Sequence, residues 1–342
     1  MQLEFAQIQA ITVGAARVEA HKDGIHFYRF TKGQERLYQA RSADFHVKTF
    51  STSGIRLRFR TDSRVLGLRG KVLPGCSRSY FSFDIFVNGK MVDTVDNFTG
   101  LRLPHDYTKM DFPLGTFEKT VTLGEGEKEV CIYLPWSVQV VLQTLSLDEG
   151  AFVTPAKPAK KILCFGDSIT HGYDALRPSN KYISKLADVL DAEEYNKAIG
   201  GEIFWPELAA TREDFEPDWI TVAYGTNDWN TCSRTEFENN CKAFYRNLHE
   251  TYPRTPIFAI TPIWRQELEE ERPFGPFLQV GEHIRALTAD LEHVTVVDGF
   301  DFVPQNAQYY ADLRLHPDDQ GFAAYYGAIW SKIKGELANY CN

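Results

Sequence analysis

The sequence lacks the features that would direct a protein to nucleic acid or into a bilayer. Its 342 residues include 37 Lys and Arg against 46 Asp and Glu, which gives a net charge of -9, and no basic run stands out. Such a charge disfavours phosphate backbones and anionic lipid. No stretch reaches the roughly 18 to 20 apolar residues that span a bilayer. We therefore expect neither nucleic acid nor membrane as a partner, and a small-molecule or oligosaccharide substrate instead.

Leader-like and metal-binding patterns are also missing. Residues 1–6 have neither the basic segment nor the apolar core of a signal peptide, which favours a cytoplasmic location. The six cysteines stand apart, without C-x-x-C pairs or histidines at zinc spacing. We therefore expect reduced thiols, no metal and no cofactor. The sequence leaves the oligomeric state open.

Residues 1–152 are rich in short segments typical of β-strands. Asn88-Gly89 is a strong hairpin signal, because both positions of such a turn require positive φ. The segments, each bounded by turn residues, cover 25–30, 55–60, 81–87, 91–95, 128–134 and 138–145. With almost no helical period between them, they predict an N-terminal all-β sandwich domain of jelly-roll type.

The hydrophobic period changes after residues 153–160, a polar, proline-bearing stretch that we interpret as a linker. From residue 161 to residue 342, buried-strand patterns alternate with amphipathic helical patterns. The strands are predicted at 162–165, 219–224, 257–260 and 294–297, and the helices near 178–190, 234–251, 277–291 and 319–338. This rhythm predicts an α/β domain with a parallel sheet between two helical layers.

The first strand of this second domain ends in Gly166-Asp167-Ser168. Ligands of open parallel sheets bind at the carboxyl ends of the strands. A small polar residue beside glycine, which lets a ligand approach the backbone closely, is well placed to act as a nucleophile. A plain turn between strand and helix is the alternative, because such joints often contain Gly, Asp and Ser.

A serine hydrolase also needs a base, a group that orients the base, and donors to the developing oxyanion. Candidates follow other strand ends of the same domain. Gly201 offers an unobstructed backbone amide, Asn227 a side-chain amide, and His316 an imidazole just before the last helix. The chemistry of Ser168 is therefore supported by residues far from it in the chain.

Four blocks stand in the order typical of one known family: Gly166-Asp167-Ser168, Gly201, Gly225-Thr226-Asn227-Asp228 and His316-Pro317. Over about residues 160–338 the chain resembles the SGNH, or GDSL-type, hydrolases. The resemblance implies a three-layer αβα domain and a carboxylic ester hydrolase. It also implies a nucleophilic Ser168, a general base His316, and an oxyanion hole formed by the amides of Ser168 and Gly201 with the Asn227 side chain.

One position departs from the family pattern. An acidic residue usually stands three positions before the histidine, whereas Leu313 occupies that place and Asp312 lies one residue further back. A one-residue bulge would bring Asp312 to the imidazole. Otherwise a backbone carbonyl or another acid, with Asp298 as the reserve, would orient His316.

Further residues near the strand ends are candidates for the substrate pocket. Asp167 adjoins the nucleophile. His171 either lines the site or is a solvated turn residue. Trp205, Trp229 and Trp264 either form pocket walls or pack in the core, because aromatic rings serve both purposes.

A β-sandwich followed by an SGNH domain resembles two-domain carbohydrate O-acetylesterases. This resemblance implies a serine esterase that removes O-acetyl, or other short-chain acyl, groups from carbohydrates. Two alternatives stay open. The chain is a short-chain lipase, esterase or thioesterase acting on a non-carbohydrate acyl group, or it is a carbohydrate-binding protein whose hydrolase domain is inactive.

Overall fold

The computed structural model describes residues 1–104 and 106–338. The chain forms two compact units. The N-terminal unit comprises Met1–Ala159 together with Leu176–Ser179 and Glu193–Tyr195. The C-terminal unit comprises Lys160–Ala175, Asn180–Ala192 and the chain from Asn196 onward. Two short segments beyond the predicted domain boundary therefore group with the first unit.

Two antiparallel sheets make up most of the N-terminal unit. One has the order β1-β4-β9-β6-β7, with β11 paired to β4, and the other has the order β2-β3-β10-β5-β8. The strands are β1 Thr12–Val13, β2 Arg17–His21, β3 Gly24–Tyr28, β4 Arg56–Thr61, β5 Val65–Pro74, β6 Ser82–Val87, β7 Lys90–Asp96, β8 Thr116–Thr122, β9 Lys128–Tyr133, β10 Val138–Leu147 and β11 Thr154–Pro155.

The sheets share one apolar core, so the predicted all-β N-terminal domain is confirmed. Phe27, Leu57 and Val140 lie in this core with no exposed surface. Successive side chains of a strand point to opposite faces, which is why alternation in the sequence located β3, β4, β6, β7, β9 and β10. The remaining strands were not predicted. The stretch taken as a linker differs in part, because Thr154–Pro155 pairs antiparallel with β4.

Short helices that the sequence patterns did not indicate accompany these sheets. The α-helices described in this unit are α1 Phe5–Ile11, α2 Lys32–Arg41 and α3 Ala43–Lys48, and Tyr107–Lys109 forms a 3-10 turn. Thr31 caps α2 by accepting a hydrogen bond from the Gln34 amide, and the Gln34 side chain accepts one from the Thr31 amide. Reciprocal caps of this kind stabilise short helices whose apolar period is weak.

A parallel sheet dominates the C-terminal unit, as predicted. Its order is β13-β12-β14-β15-β16. The strands are β12 Lys160–Gly166, β13 Ala192–Asn196, β14 Trp219–Ala223, β15 Ile257–Ile260 and β16 Val294–Val297. The helices are α4 Ser168–His171, α5 Tyr182–Val189, α6 Pro206–Ala209, α7 Thr226–Thr231, α8 Arg234–Thr251, α9 Gln279–Thr288 and α10 Asp319–Ala338.

The strand order determines where a ligand can bind. From β12 the chain proceeds to β13 on one side of β12 and later to β14 on its other side. A reversal of this kind opens a crevice at the carboxyl ends of the strands. Ser168 begins α4 directly after β12 and therefore lies at this crevice. Within the described residues, no helix has the length and apolarity needed to cross a bilayer.

Candidate active site

Local interactions hold the segment that carries Ser168. β12 ends at Gly166, where an added Cβ would lie 2.5 Å from Thr170 Oγ1, so a larger residue does not fit without a shift. The Asp167 side chain caps α4 by accepting a hydrogen bond from the Ile169 amide at 2.9 Å. The helix then stops at Gly172, whose φ of 112° favours glycine. Ser168 is thus set in a tight strand-to-helix turn.

The structure brings Ser168, His316 and Asp312 together. His316 Nε2 lies 2.8 Å from Ser168 Oγ. His316 Nδ1 lies 2.8 Å from Asp312 Oδ2. With the ring proton on Nδ1, Nε2 accepts the hydroxyl proton, which is the arrangement that activates serine in hydrolases.

The loop before α10 explains how Asp312 reaches the imidazole. Leu313 has a φ of 58°, in the left-handed region. The Asp312 Oδ1 atom accepts hydrogen bonds from three backbone amides, those of Arg314, Leu315 and His316. The turn leaves Oδ2 directed at His316. The expected bulge therefore takes the form of a left-handed residue stabilised by the aspartate itself.

The electrostatics of this loop favour an ionised Asp312. Burial raises the pKa of this carboxyl, but the hydrogen bond and charge of His316, with the backbone amides, outweigh burial and hold the pKa well below its usual range. Hydrogen bonds to the charged form of a carboxylate favour that form. An ionised acceptor keeps the ring proton on Nδ1.

A second carboxylate, which the sequence analysis missed, also faces His316. Asp174 Oδ2 lies 3.3 Å from His316 Nδ1, and the Asp174 side chain has no exposed surface. Its backbone φ of 71° is left-handed, a conformation that aspartate tolerates better than most residues. The one available signal was an acidic residue closely following the serine block.

Asp174, Asp312 and His316 also have the residue types that hold divalent cations. One ligand atom from each lies within 4.8 Å of the others. A cation on Nδ1 would displace the ring proton that Asp312 accepts. Cation binding and the hydrogen bond to Asp312 are therefore alternatives at this atom.

Gly201 and Asn227, the residues expected to stabilise an oxyanion, lie in the same unit, Gly201 in the loop after β13 and Asn227 in the first turn of α7. Gly201 is exposed and has a φ of 90°. Asn227 is half-buried in α7, where its side-chain amide donates a hydrogen bond to the Glu202 carbonyl at 3.0 Å. That bond orients the amide and leaves its second N–H for a ligand.

Two buried aspartates are sequence neighbours of site residues: Asp167 precedes Ser168, and Asp228 follows Asn227. Burial raises the pKa of Asp167 to about 6, against the Ile169 amide and the charges of His316 and Arg265. Burial likewise raises the pKa of Asp228 to about 7, and the negative charges of Asp167 and Glu202 add to the effect. A carboxyl group in such surroundings resists ionisation.

The structure corrects the interpretation of His171. His171 is fully buried and is not a solvated turn residue. Its ring centroid lies 5.3 Å from that of Tyr173, and the Tyr173 ring lies 5.6 Å from that of His316. The short helix α4 turns His171 inward, which the sequence pattern did not indicate.

The tryptophans differ in their surroundings. Trp229 has no exposed surface, and its indole N–H donates to the Gly275 carbonyl at 2.8 Å. Trp264 is 8% exposed and packs against Tyr310. Trp229 and Trp264 therefore correspond to the packing alternative, whereas Trp205 is half-buried at the start of α6.

Asp298, the reserve carboxylate, is engaged elsewhere. Its Oδ1 atom accepts hydrogen bonds from the Thr261 hydroxyl at 3.1 Å and from the Phe300 amide at 3.2 Å. The carboxylates within 3.3 Å of His316 Nδ1 are, among the described residues, Asp312 and Asp174.

Comparisons with solved structures agree with this architecture. A salicylyl-acyltransferase, SsfX3, from a tetracycline biosynthetic pathway superposes with a TM-score of 0.76 at 20% identity, covering 95% of this chain and 94% of its own. A family two carbohydrate esterase from Clostridium thermocellum, solved with cellohexaose, gives 0.66 at 15% identity, covering 96% and 99%. The acetyl xylan esterase Est2A from Butyrivibrio proteoclasticus gives 0.62 at 14% identity, covering 100% and 99%. At these identities the likeness concerns the fold.

The sequence itself matches one family model. No curated protein matches the chain. Residues 164–324 match the model of the GDSL-like lipase/acylhydrolase family. The matched region includes Ser168, Asn227 and His316, and it covers most of the parallel-sheet unit. The expected resemblance and enzyme class are confirmed: this region is a GDSL-like lipase/acylhydrolase domain, the domain of a carboxylic ester hydrolase.

Proposed function

We propose that the protein is a serine esterase that hydrolyses O-acetyl or other short-chain acyl esters of carbohydrates. The observation that carries the proposal is the hydrogen-bonded chain from Ser168 Oγ through His316 to Asp312, with both bonds at 2.8 Å. Ser168 is the nucleophile, His316 the general base and acid, and Asp312 the group that orients the imidazole.

The reaction follows from these positions. Ser168 Oγ attacks the ester carbonyl while its proton passes to His316 Nε2. The amides of Ser168 and Gly201 and the Asn227 side chain donate hydrogen bonds to the tetrahedral oxyanion. The protonated imidazole then gives its proton to the leaving alkoxide, which departs as the alcohol. Water, deprotonated by His316, cleaves the acyl-enzyme and releases the carboxylic acid.

The substrate class is supported by two independent considerations. Structures with the same two-part fold include a family two carbohydrate esterase and an acetyl xylan esterase. The net charge of -9 favours a neutral ester over an anionic one. Acetylated oligosaccharides satisfy both.

Covalent labelling tests the nucleophile. A fluorophosphonate reacts with a serine that a neighbouring base activates, so we expect one adduct, located on Ser168 by peptide mass spectrometry. Ser331→Ala, which changes an exposed serine on α10, is the control and should label fully. A folded protein that acquires no adduct on Ser168 would exclude the esterase and favour the inactive binding protein.

A substrate series tests the acyl and alcohol groups. Initial rates are measured on acetylated xylo- and manno-oligosaccharides and on p-nitrophenyl esters of increasing chain length. We expect the highest kcat/KM with acetyl groups on a sugar. A preference for butyrate or longer chains would favour the alternative lipase or thioesterase.

A further inference from the structure

Asp174 is the carboxylate beside His316 that the proposed mechanism leaves unused. Its Oδ2 atom lies 3.3 Å from His316 Nδ1, where Asp312 Oδ2 lies at 2.8 Å. We propose that Asp174 is a second positioning carboxylate for His316, sharing the Nδ1 proton with Asp312. The inference rests on the proposed function of Ser168 and His316 as nucleophile and base.

The two carboxylates reach the imidazole from separate parts of the chain. Asp312 belongs to the loop of His316 itself, whereas Asp174 follows α4, the helix that begins with Ser168. Asp174 thereby connects the nucleophile segment to the base. Movement of the His316 loop away from Ser168 would break the contact with Asp174 as well as the hydrogen bond to Ser168.

Burial makes the contact with Asp174 strong in electrostatic terms. Asp174 has no exposed surface and the His316 side chain is 12% exposed, so water screens their interaction little. Besides Asp312 and Asp174, which contact Nδ1 directly, Asp167 also interacts electrostatically with His316. A second negative charge stabilises the imidazolium that forms during attack.

The geometry of Asp312 shows why a second acceptor matters. Its Oδ1 atom is committed to three backbone amides. In Asp312→Asn the same amides would retain the amide oxygen, so the new NH₂ group would face Nδ1 and favour the wrong tautomer. Asp174 opposes this change, because it still accepts the Nδ1 proton.

The test is a double-mutant cycle of Asp312→Asn and Asp174→Asn, followed by kcat and KM on p-nitrophenyl acetate. Loss of the orienting acid costs about 10⁴-fold where one carboxylate acts alone. We expect Asp312→Asn to lower kcat roughly 10- to 100-fold, Asp174→Asn about 10-fold or less, and the double variant about 10⁴-fold, more than the product of the single effects. KM should change little.

Two readouts separate positioning from a structural role. The low-field proton NMR signal of His316 Nδ1–H should persist in Asp312→Asn and vanish in the double variant. The acid limb of the kcat/KM profile of Asp174→Asn should move to lower pH, because the imidazolium loses a stabilising charge. Asp290→Asn, which neutralises an exposed aspartate between α9 and β16, is the control and should resemble the wild type.

Several results would overturn the inference. A loss of about 10⁴-fold from Asp312→Asn alone, or the disappearance of the Nδ1–H signal in that variant, excludes Asp174 as an acceptor. So does a folded Asp174→Asn protein with an unchanged pH profile. If Asp174→Asn does not fold, the His316 Nδ1–H NMR signal in Asp312→Asn tests the inference alone: its persistence supports Asp174 as an acceptor, and its loss excludes it. Failure of the proposed function is distinct, because the wild-type protein would then neither label at Ser168 nor hydrolyse esters.

Discussion

The segment that carries Ser168 and the loop that carries His316 meet at 2.8 Å, but they are built in different ways. The Ser168 segment consists of regular elements: the buried strand β12, the capping residue Asp167 and the short helix α4, which ends at Gly172. The His316 loop, from Tyr310 to Pro317, contains no helix, and an isolated β-bridge joins its two ends. A left-handed Leu313 and the side chain of Asp312 shape it.

Each of these segments contains an aspartate, and the two carboxyl groups behave in opposite ways. Burial dominates at Asp167 and raises its pKa to about 6. Hydrogen bonds and the charge of His316 dominate at Asp312 and lower its pKa. The same residue type therefore takes a structural capping role beside the serine and a charged role beside the histidine. The number of hydrogen-bond donors around each carboxyl group determines which of the two roles the aspartate takes.

The largest expected effect on activity comes from removing either Ser168 Oγ or the His316 imidazole. Ser168→Ala and His316→Ala should each lower kcat on p-nitrophenyl acetate by about 10⁶-fold, and the double variant should lose no more, because the two groups act as one unit. Ser331→Ala should retain full activity. A double variant far slower than either single variant would show that serine and histidine act separately.

A smaller loss is expected at Asn227, which neither segment contains. Asn227→Ala should lower kcat roughly 100- to 1000-fold with little change in KM, because its side-chain amide would bind the oxyanion only in the transition state. Asn239→Ala, at an exposed position of α8, serves as the control. An effect mainly on KM would assign Asn227 to substrate binding instead.

The shape of the His316 loop can be tested at Leu313. Leu313→Val places a β-branched residue at a φ of 58°, which such residues rarely adopt. We expect kcat to fall about 10-fold and stability to fall by about 1 kcal/mol, while Leu313→Asn, which tolerates this conformation, stays near the wild type. Full activity of Leu313→Val would mean that the loop does not depend on the left-handed turn.

The smallest effects concern pH and stability at the two aspartates. Folding raises the pKa of Asp167 from 3.8 to about 6, so the folded state binds more protons and this group lowers stability as pH rises from about 4 to 6. Folding lowers the pKa of Asp312, so this group adds stability above about pH 4 that is lost in acid.

Melting curves between pH 3 and pH 8 check both signs. Asp167→Asn keeps the helix cap, so its Tm should exceed the wild-type Tm by a few degrees at pH 7 but not at pH 4. Asp312→Asn should lower Tm most above pH 4, and this loss should become smaller as the pH falls below 4 towards the lowered pKa of Asp312. Asp290→Asn is again the control. If the Tm of both variants differed from the wild-type Tm by the same amount at every pH, the opposite behaviour of the two carboxyl groups would be contradicted.

Local patterns in the sequence predicted the elements and most of the site. Alternation located six strands of the N-terminal unit, and apolar runs located β12, β14, β15 and β16. Residues that follow strands or precede the last helix singled out Ser168, Asn227 and His316. Such patterns are visible because a strand or helix repeats its environment every two or 3.6 residues. The helices of the N-terminal unit were not predicted, because their capping residues indicate a helix more clearly than their hydrophobic periodicity does.

Other features depend on residues that only the fold brings together. Asp174 contacts His316 where the backbone is left-handed at Gly172 and Asp174 after α4 and at Leu313 before α10, and no periodic pattern in the sequence records a backbone torsion of this kind. The burial of Trp229, Trp264 and His171 likewise depends on their neighbours in space. The sequence by itself determined the central strands and long helices of the C-terminal unit, six strands of the N-terminal unit and the chemical groups at the strand ends. The tertiary structure decided which carboxylates reach the histidine, because strand order and loop torsions, not sequence spacing, set distances between side chains.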